Sequence, residues 1–246
     1  MHKSIATCAL GALAFSLVGV SSPASAQTVP TGYEAVEGDG GFLGPLTSSP
    51  RRYQLLIDSS QLTAFVGQSI DGIAFRLNNS ATSSYPSSDT TYDDYDIFLG
   101  GSVDPSNRSL TFADNRVGAQ TQVRDGSLTI AAGSYGAGGT GPGGTAAFGP
   151  DIDFDTGYVY SGGDLLVEIV HSTSDGSSTS VDALLASNPS NGYDTNFGAT
   201  WTSNLTSDTG SRGNFAVMQF ATSPVPEPAS LSMLALGGVA LLRRRR

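Results

Sequence analysis

The sequence predicts an all-β fold, an antiparallel β-sandwich that is jelly-roll-like. Three observations carry the prediction. Short runs rich in Val, Ile, Tyr, Phe and Leu recur along the middle of the chain. Gly, Ser, Asn, Asp and Pro separate them, and glycine alone supplies 31 of the 246 residues. No window of helical length repeats apolar residues at three and four without a breaker. Such a pattern packs as two sheets face to face.

The elements follow in order. Residues 27–50 are rich in Gly and Pro with little period and read as an irregular lead-in to a domain over residues 51–222. Tyr53, Leu55 and Ile57 alternate with Gln54, Leu56 and Asp58, as in a strand. Ile70, Ile73, Phe75 and Leu77 form a second run, and residues 92–99 a third. Thr121 to Ile130 reads as a hairpin with Asp125-Gly126 at its turn. Phe154, Tyr158 and Tyr160 lead to residues 164–170, the most apolar run and the expected central strand. Val181 to Ala186, Phe197 to Thr202 and Phe215 to Phe220 complete the set. The Gly133 to Gly144 stretch is a flexible loop; it lacks the Lys-Ser/Thr and following helix of a phosphate cradle.

Both ends depart from this pattern. Residues 1–26 read as an export signal, with Lys3 in a positive n-region and an apolar run from Ile5 to Val20. Ala24-Ser25-Ala26 is a small-x-small cleavage site, so the mature chain is expected to start at Gln27. Cys8, the one cysteine, lies inside the removed segment, which leaves no thiol or disulfide chemistry. Residues 223–246 hold three pieces in a fixed order. Val225-Pro226-Glu227-Pro228 is extended, because each Pro fixes φ and lacks an N–H. Ala229 to Leu242 is apolar and uncharged; as a helix its fourteen residues would span ~21 Å. Arg243, Arg244, Arg245 and Arg246 then form a cytoplasmic stop.

These three pieces resemble the PEP-CTERM sorting signal of exported proteins in Gram-negative, exopolysaccharide-producing bacteria. The resemblance implies an exosortase, a membrane cysteine protease-transpeptidase, as partner. It implies transient inner-membrane insertion, removal of the tail, and release or attachment at the cell surface, with exopolysaccharide as a further partner. An ordinary C-terminal anchor is the alternative. The body also resembles a loose group of exported bacterial β-domains with interchangeable C-terminal anchors. Arg52-Tyr53-Gln54, residues 70–76 and Gly163-Asp164-Leu165-Leu166 carry that likeness, which brings no catalytic residues.

Charge narrows the partners. Twelve basic residues stand against 22 acidic ones, and without both ends seven arginines face 21 carboxylates, a net charge of about −14. Such a surface repels nucleic acid and anionic lipid.

No catalytic, cofactor or metal site is expected, although several residues invite the question. His171, the only histidine after processing, ends the apolar strand, and no Gly-x-Ser-x-Gly elbow accompanies it. It reads as a polar strand-end residue. Glu168 shares a strand face with Leu166 and Val170, either as a buried acid of raised pKa or on an exposed face. Asp151, Asp153 and Asp155 alternate on one face, and Asp93, Asp94 and Asp96 form a second cluster. Each reads as a solvated edge strand, with calcium the alternative. Trp201, Tyr193 and Phe197 would be core or a sugar-stacking platform. Three sequons, at Asn78, Asn107 and Asn204, match by composition alone. The function expected is a non-enzymatic, exported envelope or matrix protein; a secreted carbohydrate-binding module or glycan hydrolase is the alternative. A permanent inner-membrane protein is the third reading.

Overall fold

The structure, a computed structural model, describes residues 25–225. In chain order the strands are β1 (Ser25–Val29), β2 (Gly40–Phe42), β3 (Arg51–Ile57), β4 (Gln68–Phe75) and β5 (Thr90–Tyr92). Then come β6 (Tyr95–Ser102), β7 (Arg116–Arg124), β8 (Leu128–Ile130), β9 (Ile152–Val159) and β10 (Leu165–His171). The last are β11 (Val181–Leu184), β12 (Phe197–Thr202), β13 (Ser211–Arg212), β14 (Phe215–Ala216) and β15 (Met218–Pro224). The helical elements are short 3₁₀ turns, the longest Ser59–Phe65.

Every ladder between these strands is antiparallel. A six-stranded sheet runs β13-β12-β3-β10-β6-β7 and a four-stranded sheet runs β1-β15-β4-β9. Smaller sheets, β14-β11-β2 and β5-β8, close the sides. β10, the expected central strand, pairs with β3 on one side and β6 on the other.

Alternation decides what faces inward. Tyr53, Leu55 and Ile57 of β3, Ile97 and Leu99 of β6, and Val167 and Ile169 of β10 are fully buried. They share one core with Ile73 and Phe75 of β4 and with Met218 and Phe220 of β15. Each such side chain contributes ~1.5–3 kcal/mol by leaving water.

Two expectations need correction. The lead-in over 27–50 is mostly turn and loop, but it is not wholly irregular: it supplies β2 and most of β1. β2 is Gly-Gly-Phe, too short and too poor in side chains to show alternation. Gly40 serves close approach, since a Cβ there would clash with the side chain of Leu185, just past β11. The hairpin over 121–130 does not form either. β7 pairs with β6, while β8 pairs with β5. The turn at Gly126 is drawn to β6 instead: Asp96 accepts its N–H at 3.1 Å, and Arg124 donates to the carbonyls of Tyr95 and Gly126.

Leu55→Ala should lower unfolding free energy by ~2–5 kcal/mol, because β3 is an inner strand and its neighbours cannot collapse into the cavity. The change at half-exposed Val36 should stay within ~0.5 kcal/mol. Urea unfolding of both variants checks the contrast.

Candidate functional site

The sorting segment begins where a sheet ends. β15 lies between β1 and β4 and is hydrogen-bonded along both edges. Its pairing with β4 runs to Pro224, opposite Gln68. The strand therefore continues two residues past the expected domain boundary at Thr222. Val225 follows directly and is partly exposed. Pro226, Glu227, Pro228 and the arginines at 243–246 lie outside the described residues, as does Ala24. Ser25 and Ala26 of the expected cleavage site pair with Thr222 and Ala221. The two chain ends thus leave adjacent strands at one end of the sandwich.

His171 ends β10, as expected, but it is not a surface residue. It is fully buried, with its ring stacked on Tyr95 at 5.3 Å and edge-on to Tyr92 at 4.9 Å. Its Nδ1 lies 2.7 Å from the Ser172 carbonyl, so that nitrogen carries the proton and donates it. Burial pushes the imidazole pKa below its ordinary value, and Arg51 nearby adds to this. Sequence alternation alone cannot find this, because the covering aromatics come from the chain around β6.

Glu168 is buried on the outer face of the six-stranded sheet, beneath the 102–115 loop. It is an ion-paired acceptor there. Arg52 Nε donates to Oε1 at 2.7 Å, and Arg116 Nη2 donates to Oε2 at 2.6 Å. Arg116 Nε adds a bond to Oε2 at 3.1 Å, and Gln54 Nε2 is the third donor residue, at 3.0 Å. Gln54 in turn accepts from Asn115 Nδ2, which ties the loop to β3. All the lone-pair directions used point at donors, and the carboxylate serves as a clasp.

The acidic clusters take separate places. Asp151, Asp153 and Asp155 are exposed around β9, an edge strand, and Asp155 accepts the Asp125 N–H. Burial, then the neighbouring Asp153, raises the pKa of Asp151. Asp93 and Asp94 lie in the turn before β6, and Asp96 is half-buried within it. A different trio, Asp58, Asp104 and Asp164, has carboxylate oxygens all within 4.8 Å of one another. Each of these already accepts a backbone N–H, from Ser60, Ser106 and Ser59 respectively. The sequence hides this trio, since its members lie on three separate strand ends.

The aromatic trio does not form an exposed platform. Tyr193 and Phe197 are buried, their rings edge to face at 6.0 Å. Trp201 is half-buried, with its edge on Phe42 and its face against the Arg51 guanidinium at 4.1 Å. Arg51 Nε and Nη1 are buried without a hydrogen-bond partner among the described residues.

A buried pair missed from sequence orders the N-terminal stretch. Arg76 donates to Asp182 through Nε at 2.9 Å and Nη2 at 2.6 Å, and both side chains are fully buried. Arg76 also reaches the Val36 carbonyl, and Asp182 accepts from the Gly38 N–H. Burial nonetheless holds the Asp182 pKa above the ordinary carboxylate range. The partners are separated by 106 residues, so no local pattern reveals them.

With this geometry in view, comparison with known families bears on one segment. A family model of the PEP-CTERM protein-sorting motif matches residues 224–246. None of the curated proteins and none of the solved structures matches the chain. The matched segment starts on the last paired residue of β15.

Two outcomes are expected. Glu168→Gln should lower stability by ~1–3 kcal/mol, since the charge is lost and one acceptor oxygen becomes an NH2 facing an arginine that stays partly out of water; thermal melts at neutral pH measure it. His171 has a folded-state pKa below its unfolded one, so the unfolded chain binds the extra proton. Its contribution is complete above the ordinary His value near 6.5 and is lost as pH falls from there toward the folded value. Stability measured across that window should therefore fall less steeply in His171→Asn than in the unsubstituted chain.

Proposed function

We propose that this chain, which carries a PEP-CTERM sorting motif at residues 224–246, is a non-enzymatic surface or matrix protein of an exopolysaccharide-producing cell envelope. The motif marks it as an exported protein handed to an exosortase. The finer reading is a folded β-domain, held briefly at the inner membrane, freed of its tail, and left to act as a structural component outside.

One observation carries this. The motif abuts β15 without a linker, so cutting at or beyond Pro226 would leave every hydrogen bond of the four-stranded sheet in place. A tail that can be removed without opening the fold is what a sorting signal requires. The placement of the other candidates supports a structural role. Glu168 is bound by two arginines, and His171 is sealed among tyrosines. The sugar-binding alternative called for Tyr193, Phe197 and Trp201 as a stacking platform, and two of the three are buried.

Expression in a host with an active exosortase tests the reading. The unsubstituted chain should lose its tail, and Glu227→Ala should accumulate as the tail-bearing form in the membrane fraction. Equal processing of both forms would remove Glu227 and its motif from the account.

A further inference from the structure

Three features converge on the end of the sandwich from which the tail leaves. The first is topological. Pro224 pairs with Gln68, and Ser25 pairs with Thr222, so both termini emerge there side by side. From Pro224 to Ala229, the first residue of the apolar run, the chain spans at most ~18 Å. From Ser25 back to Val20, the end of the N-terminal apolar run, the limit is the same ~18 Å.

The second feature is a mismatch of lengths. The apolar run of residues 229–242 would span ~21 Å as a helix, against a hydrocarbon layer of ~30 Å. A short span draws its flanks inward or thins the bilayer. The arginines on the far side can snorkel, whereas a folded domain on the near side can only be pulled against the headgroups.

The third is the surface of that end. Val66 is 56% exposed, Val159 53% and Val225 36%. Val159 stands opposite Ser69, Val225 follows the residue opposite Gln68, and Val66 precedes Gly67, whose N–H bonds to Tyr160. All three stand at the same end of the four-stranded sheet, and exposed Ser161, Gly162 and Gly163 follow Val159 there. Asp58, Asp104 and Asp164 occupy the corresponding end of the six-stranded sheet. Acidic groups are repelled by anionic headgroups, and exposed valines are not.

We infer that in the tethered precursor the domain sits on the lipid surface by its Val66–Val159–Val225 rim, tilted with the four-stranded sheet toward the bilayer and the acidic trio raised from it. The inference rests on the sorting reading, since only an inserted tail brings this end to a membrane. The occupant of the surface is the headgroup layer into which the same chain inserts.

Spin labels test it. The full chain with Cys8→Ser has no other cysteine, so Val66→Cys, Val159→Cys, Ser106→Cys, Leu205→Cys and Ser232→Cys each carry one label. Ser106 lies beside the acidic trio, and Leu205 is at the opposite end of the sandwich, after β12. The chain is reconstituted in phosphatidylethanolamine–phosphatidylglycerol vesicles, and relaxation by oxygen is compared with relaxation by a water-soluble nickel chelate. A shift toward oxygen is expected at 66, 159 and 232, with 106 and 205 remaining aqueous. A label at 232 in lipid with 66 and 159 as aqueous as 205 overturns the seating and leaves the sorting reading intact. Seating at 106 in place of 66 and 159 also overturns it. An aqueous label at 232 overturns both.

Discussion

The fold depends on the double pairing of its last strand. β15 bonds to β1 along one edge and to β4 along the other. β1 has no other strand partner among the described residues, so it is held only through β15. Met218 and Phe220 also fill the core between the two sheets. The four-stranded sheet is therefore incomplete until the C-terminal residues are in place.

The same strand defines where the fold stops and the signal starts. The ladder to β4 ends at Pro224, a residue with no N–H to offer a further partner. Val225 lies past the end of the ladder, and the sequence continues with two more prolines by Pro228. In the sequence the sheet's last strand, the Pro-Glu-Pro motif and the apolar run follow one another with one residue, Val225, between strand and motif. The polar interior supports this frame from inside. Arg76 and Asp182 pin the segment before β2, and Glu168 clasps the 102–115 loop over the six-stranded sheet. Removing one member of either cluster leaves a charge short of a partner, so these groups fix the arrangement even where burial offsets their attraction.

How much of this was legible in the sequence follows from where each signal is stored. Alternation is local, so Tyr53, Leu55 and Ile57 gave away β3, and Phe197 to Thr202 matched β12 residue for residue. The sorting tail was legible because motif, apolar run and arginines are contiguous. β2 was not, because glycines carry no alternation. The Asp125-Gly126 turn was read as a hairpin because turn chemistry is local while strand pairing is not; Asp96 and Arg124 decided the partner. The burial of His171 at the end of β10 is hidden for the same reason, since it comes from Tyr92 and Tyr95. The Arg76–Asp182 pair and the Asp58–Asp104–Asp164 trio join residues from distant strands, and no spacing rule encodes them.

The central claim is that a complete β-domain is delivered by a removable tail attached directly to its last strand. Intact mass spectrometry of the protein recovered from its native host tests this most directly. The account requires a chain that starts at Gln27, ends near Pro226, and unfolds cooperatively as a single domain. A mass that still includes the apolar run and the four arginines would contradict it, and would make the protein a permanently anchored one.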